Sequence, residues 1–149
     1  MKTSVPVSSL LHQKGADVWT VPPEATVFDA IKLMAEKNIG ALPVIAHGVL
    51  VGVFTERDYT RKIALQGKTS KQTLVKEIIA REVITVAPVD SIEYCMKLMT
   101  ENRVRHLPVV QGGELVGIVS IGDLVNWTIS AQDATIAQME QYIAGGVGA

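Results

Sequence analysis

Gly52-Val53-Phe54-Thr55-Glu56-Arg57-Asp58 returns as Gly117-Ile118-Val119-Ser120-Ile121-Gly122-Asp123, the two aspartates standing 65 residues apart (58 to 123). At that offset Leu42-Pro43-Val44 meets Leu107-Pro108-Val109, Leu50-Val51-Gly52 meets Leu115-Val116-Gly117, and Lys32-Leu33-Met34 meets Lys97-Leu98-Met99. Val18, Thr20 and Val21 likewise meet Val83, Thr85 and Val86. The chain is an internal duplication. Two related units packed together make a pseudo-two-fold module with paired clefts at the join, which one unit could not build.

Working outward from the motif, Val18 to Val21 is β-like and is stopped by Pro22-Pro23, whose fixed angles and missing donors end strand pairing. Thr26, three residues before Asp29, reads as a capping box; Val27, Ile31, Met34 and Ala35 then recur at helical spacing until Asn38 and Gly40. Ala41 to Ala46 and Val49 to Thr55 are apolar, β-branched runs joined tightly at His47-Gly48, a hairpin with both strands expected to be buried on two faces. A second helix starts near Glu56. The second unit repeats this order: strand Val83 to Val86, helix Ser91 to Arg103, strands His106 to Val110 and Leu115 to Ser120 around Gly112-Gly113. A last helix from Ile121 is expected to break near Ser130 to Asp133. The chain thus divides into an N-terminal segment 1–17, a first unit 18–70, a connector 71–82 with a helix expected over Leu74 to Ala80, a second unit 83–144 and a frayed tail 145–149.

Composition narrows the function. A 48% apolar content over 149 residues can bury a real core, and a net charge of −1 with interspersed signs leaves no footprint for nucleic acid or an acidic membrane. No apolar run approaches a membrane span or a signal peptide, so a soluble cytoplasmic location is expected. Cys95 is the only cysteine, which excludes intrachain disulfides and thiolate zinc sites and reads as a small buried hydrophobe.

Thr55-x-x-Asp58 and Ser120-x-x-Asp123 each permit a capping box, with the hydroxyl taking a backbone N–H and the carboxylate answering from the third helical position. Both also sit where a buried strand feeds a helix, a place whose free N–H groups and dipole favour phosphate. A carboxylate there suits the two adjacent hydroxyls of a ribose. Hydroxyl plus carboxylate can hold a ribose and its phosphate together.

With these motifs in view, the chain resembles a tandem pair of cystathionine-β-synthase (CBS) domains, a Bateman module, over about residues 5–144. The resemblance rests on Thr20-Val21-Pro22-Pro23, Gly40 to Val44 and Gly52 to Asp58, repeated as Thr85-Val86-Ala87-Pro88, Arg105 to Val109 and Gly117 to Asp123. It implies an α/β (α+β) fold of two β-α-β-β-α repeats about a pseudo-two-fold axis, with two clefts for adenosine ligands that each mix the repeats. One cleft would use Ser120 and Asp123 with Thr20, Ala25, Gly40, Ala41 and Pro43. The other would use Thr55 and Asp58 with Thr85, Asp90, Val104, Arg105 and Pro108. Small Gly40 and Ala41 leave room for a base, so adenine is expected first in the Ser120/Asp123 cleft. Arg105 and His106 at the equivalent positions are expected as phosphate partners near the axis, although His106 also reads as a core histidine. Arg57 and Arg61 could face phosphate or solvent.

The three histidines show no metal-ligand spacing, no serine or cysteine lies in a nucleophile motif, and neither glycine-rich stretch is a phosphate-cleaving or dinucleotide loop. The expectation is a non-catalytic sensor, a homodimer that responds to AMP, NAD(H) or ATP, with no metal. The basic set Arg57, Arg105 and His106 favours a phosphorylated ligand over cationic S-adenosylmethionine. A ligand-independent dimerisation module is the competing reading.

Overall fold

Each long helix of the duplicated pair starts where a hydroxyl caps it. Thr26 Oγ1 accepts from Asp29 N at 3.1 Å and Ser91 Oγ from Tyr94 N at 3.0 Å. Each ends on a left-handed residue, Asn38 or Arg103, both with φ 54°. In the computed structural model, which describes residues 5–15, 17–80 and 82–148 (144–148 as backbone), these helices are α2 (Val27–Lys37) and α4 (Ile92–Asn102). Before them comes α1 (Val7–Lys14). Between them come strands β1 (Ala41–Ala46) and β2 (Val49–Thr55), α3 (Glu56–Asp58) running into a π-helical turn (Tyr59–Ala64), and a 3₁₀ turn (Val75–Glu77). After α4 come β3 (His106–Gln111), β4 (Glu114–Ser120) and α5 (Ile121–Gly148).

The fold is mixed helix and strand with two small antiparallel sheets, β1-β2 and β3-β4, each bulged at one place, Val44/Ile45 and Val109/Val110. Both hairpins turn on residue pairs with positive φ, His47-Gly48 and Gly112-Gly113, the geometry that matches strand twist in a two-residue turn. The expected first strand of each unit shortens to one residue. Val21 bridges Val44 in parallel and Val86 bridges Val109, each through a bond to a proline carbonyl (Val21 N to Pro43 O, 3.1 Å; Val86 N to Pro108 O, 3.0 Å). β1 is buried as expected, but β2 alternates and is not buried on two faces, because only Gly52 and Phe54 turn fully inward.

The segments leading into the two units are themselves equivalent, at an offset of 68 rather than 65. Val7 N donates to Asp90 O at 2.7 Å, as Val75 N does to Ala25 O at 2.8 Å; Ser8 N reaches Pro88 O, as Lys76 N reaches Pro23 O. A Cβ on Gly52 would sit 2.6 Å from Ile79 Cδ1, and one on Gly117 2.7 Å from Leu11 Cδ2. These glycines let the leading segments lie directly on the hairpins. The segments are exchanged between cores: Val7 and Leu10 pack with Val86, Ile92, Leu107 and Val119, whereas Val75 and Ile78 pack with Val21, Val27, Leu42 and Phe54. The helix expected over Leu74 to Ala80 is only the 3₁₀ turn, tied by Glu77 Oε2 accepting from Leu74 N at 2.6 Å.

α5 does not break near Ser130 to Asp133; that stretch holds no glycine or proline, and polar side chains facing solvent leave the backbone ladder intact. Leu124 is buried near its start, but Ile129, Ile136, Met139 and Ile143 are exposed. Cys95 is buried in the second core, and burial, with the Asp90 charge, pushes its thiol up to about 11, so it packs as an inert small side chain. Among the described residues no helix is long and apolar enough to cross a membrane, and no three His, Cys, Asp or Glu are grouped to hold a metal ion.

Candidate functional site

Both copies of the motif form complete capping boxes. Thr55 Oγ1 accepts from Asp58 N and Asp58 Oδ2 from Thr55 N, each at 3.1 Å; Ser120 Oγ accepts from Asp123 N at 3.1 Å and Asp123 Oδ2 from Ser120 N at 2.9 Å. The box fixes the carboxylate at the strand end and engages one of its two oxygens. Asp58 thereby keeps Oδ1, with Lys62 Nζ at 3.6 Å, on the wall of a cleft.

That cleft has a volume of about 300 Å³ and joins the two repeats. Thr55, Glu56, Arg57 and Asp58 form one side, and Arg103, Val104, Arg105, His106 and Pro108 form the other. Gly40 and Val53, Ala80 and Glu82 of the connector, and Val83 and Ile84 of the second unit complete it. Of the set expected here, Thr55, Asp58, Val104, Arg105 and Pro108 converge on the cavity. Thr85 is exposed instead, and Asp90 is held in its own turn by Ala87 N at 2.7 Å. Arg57 Nη1 donates to Arg103 O at 3.0 Å, which ties α3 of the first repeat to the C-cap of α4. Lys62, on the turn after α3, donates to Ile78 O at 2.7 Å.

The other expected cleft is built differently. Lys14 Nζ, from α1, sits 2.6 Å from Asp123 Oδ2 and 2.9 Å from Ile118 O. Asp123 lines a smaller depression of about 190 Å³ with Leu10, Gln13, Lys14, Asn126, Trp127 and Ser130. Burial opposes ionisation of Asp123, but the Lys14 bond and the Ser120 amide and hydroxyl together hold its carboxyl below the usual range. Ala41 pairs with Thr55, and Pro43 is fully buried with its carbonyl spent on Val21 N. Thr20 is exposed, and Ala25 gives its carbonyl to Val75 N. Gly40, expected in the Ser120/Asp123 cleft, lines the Thr55/Asp58 cavity. Nor does its smallness leave a vacancy: a Cβ there would lie 3.4 Å from His106 Cε1 and Nε2, so the imidazole stands over it across the repeat interface. Burial, with Lys14 and Arg105 nearby and Asp123 opposing them, pushes His106 below the ordinary histidine range.

Residues absent from the expected set are Val53, Glu56, Ala80, Glu82, Val83, Ile84 and Arg103 in the larger cavity, and Lys14 at Asp123. Arg103 was findable, since it matches Asn38 at the 65-residue offset. Glu82 and Lys14 become a pair only at the 68-residue offset of the leading segments.

Two equivalent strand ends that each carry a capping-box carboxylate, one of them opening on a cavity of apolar strand residues and guanidinium groups, define a paired-repeat module. The family model for the CBS domain matches residues 7–65 and 75–130, and the chain belongs to that family. These matches begin at α1 and at the 3₁₀ turn, so both leading segments fall inside the matched repeats. The mitochondrial CBS domain-containing protein CBSX3 of Arabidopsis thaliana is 40% identical over 153 residues, covering 96% of this chain and 74% of its own. A solved CBS-domain protein of Burkholderia ambifaria MC40-6 superposes with a TM-score of 0.82 at 49% identity, covering 86% of this chain and 96% of its own. The CBS domain pair of protein MJ0100, solved with 5′-methylthioadenosine and S-adenosyl-L-methionine, gives 0.76 at 26% identity, covering 87% and 99%.

Proposed function

We propose that this chain is a non-catalytic regulatory module that binds an adenine nucleotide in the Thr55/Asp58 cavity and acts as a homodimer. The observation that carries the reading is the cavity joining the repeats, where Thr55 and Asp58 face Val83, Ile84, Val104 and Pro108, with Arg103 and Arg105 at hand. Asp58 Oδ1 would take ribose hydroxyls, the valine and isoleucine side chains would sandwich the base, and the guanidinium groups would take phosphate. The cavity volume of about 300 Å³ is at the small end of the usual range for ligand sites, about 300–1,000 Å³, which favours AMP over ATP or NAD. Regulation then requires that the nucleotide bind two states of the module unequally.

S-adenosylmethionine is the second reading, favoured by the carboxylates Glu56, Asp58 and Glu82 in the same wall, which suit a cation. Calorimetric titration of AMP, ADP, ATP, NAD, NADH and S-adenosylmethionine separates the two. AMP is expected to bind in the micromolar range, and Asp58→Ala to weaken it at least about tenfold through loss of a charge-assisted bond. The same variant loses one half of a capping box, about 1 kcal/mol of stability. Failure of every ligand to bind below millimolar concentration would refute the sensor reading and leave a structural dimerisation module.

A further inference from the structure

The duplicated aspartates have different company. Asp58 is approached by Lys62 from its own helix at 3.6 Å, and that ammonium is already donating to Ile78 O. Asp123 is held by an ammonium from a separate segment, Lys14 of α1, at 2.6 Å. Counting from the equivalent leading segments, the residue that corresponds to Lys14 is Glu82 (14 to 82, the same 68), and Glu82 lines the open Thr55/Asp58 cavity. The two offsets differ because Gly15-Ala16-Asp17 is a three-residue insertion before the shared Val18/Val83 position. α1 therefore continues as helix to Lys14, with Gly15 at φ 106° closing it, where the connector has only a 3₁₀ turn. Sequence at one position and length at the next together carry a cation to one carboxylate and an anion to the vicinity of the other.

We infer that Lys14 closes the Ser120/Asp123 site to adenosine ligands, so that the chain takes one nucleotide, at Thr55/Asp58, and gains a second site only when that ammonium is removed. The inference rests on the nucleotide-binding reading above. A ribose hydroxyl would also make a charge-assisted bond to Asp123, but the ammonium already there adds the attraction of an opposite charge that a neutral hydroxyl lacks. Lys14 also satisfies the Ile118 carbonyl at 2.9 Å, so its displacement by a ribose would leave that acceptor without its ammonium donor. The lowered pKa of Asp123 is in keeping with a formed pair.

Titration calorimetry with AMP on the wild type, Lys14→Met, Lys14→Arg and Lys14→Met/Asp58→Ala tests this. The wild type and Lys14→Arg are expected to bind one AMP per chain, Lys14→Met two, and the double variant one. A Lys14→Met chain that still binds one, or a wild type that binds two, overturns the inference. The second readout uses no ligand: in a carboxyl ¹³C NMR titration, Lys14→Met should raise the Asp123 midpoint. An unchanged midpoint overturns the contact whatever AMP does. A raised midpoint with no AMP bound by any variant overturns the nucleotide reading, and the closure of a nucleotide site with it.

Discussion

His106 opens β3 opposite Ser120, stands over Gly40 of the other repeat, and has Lys14, Arg105 and Asp123 as its charged surroundings. Burial comes first in lowering its pKa, and two neighbouring cations add to it, so the folded protein holds the ring neutral where the unfolded chain takes a proton. Below about pH 6.5 the unfolded state then binds more protons, and stability falls as pH drops from 6.5 through the folded value, with a slope of at most about 1.4 kcal/mol per pH unit. Asp123 acts in a separate, lower window: its folded pKa lies below 3.8, so its contribution is full above that value and is lost only as pH falls further. Urea midpoints at pH 7.5 and 5.5 should fall for the wild type and fall less for His106→Gln. Equal losses would mean that the imidazole titrates as freely in the fold as outside it. At this scale the sequence disclosed residue types but not company. The repeated aspartates and hydroxyls were readable from spacing and Arg105 from the family resemblance, whereas His106 over Gly40 and Lys14 on Asp123 depend on how the repeats and α1 dock, which no local pattern encodes.

Elements show the same division. The bounds of both hairpins and both long helices followed from turn residues, caps and apolar periodicity because these act within a few residues. Which core receives α1 did not follow. Val7-Ser8-Ser9-Leu10-Leu11 does match Val75-Lys76-Glu77-Ile78-Ile79 in the sequence, but three residues out of step with the main repeat. Even in register, that pattern does not say that α1 packs on the farther unit. The exchange has a direct consequence. Leu10 and Ile78 are both 4% exposed, one in each core, so each change to alanine should cost about 2–4 kcal/mol. Hydrogen exchange locates the damage: Leu10→Ala should speed exchange in β3 and β4, nearly a hundred residues along the chain, while Ile78→Ala should speed it in β1 and β2. The opposite assignment, or uniform acceleration by both, would contradict exchanged leading segments.

For the whole molecule, α5 is the element that the two cores leave unexplained. Only its first turns are anchored, by Leu124 and the partly buried Trp127, and the rest runs through solvent with few charges of its own, Asp133 and Glu140 among them. A solvent-exposed helix of this kind gains little from propensity alone and needs a packed face. It has one. Val125, Ile129, Gln132, Ile136, Met139 and Ile143 alternate by four and three residues, the spacing of a coiled-coil seam with a single polar position, and the apolar members are 43–59% exposed. A seam written in one repeated sequence is complementary to itself, which makes a second copy its natural partner and supports the proposed homodimer. Ile136→Lys places a charge at the middle of that seam. Sedimentation equilibrium should then show the wild-type dimer converted to monomer, with a loss of far-ultraviolet helical signal as the released end of α5 melts. AMP affinity should stay within about threefold, since the cavity lies within one chain. A variant that remains dimeric with its helix intact would assign the association to another face.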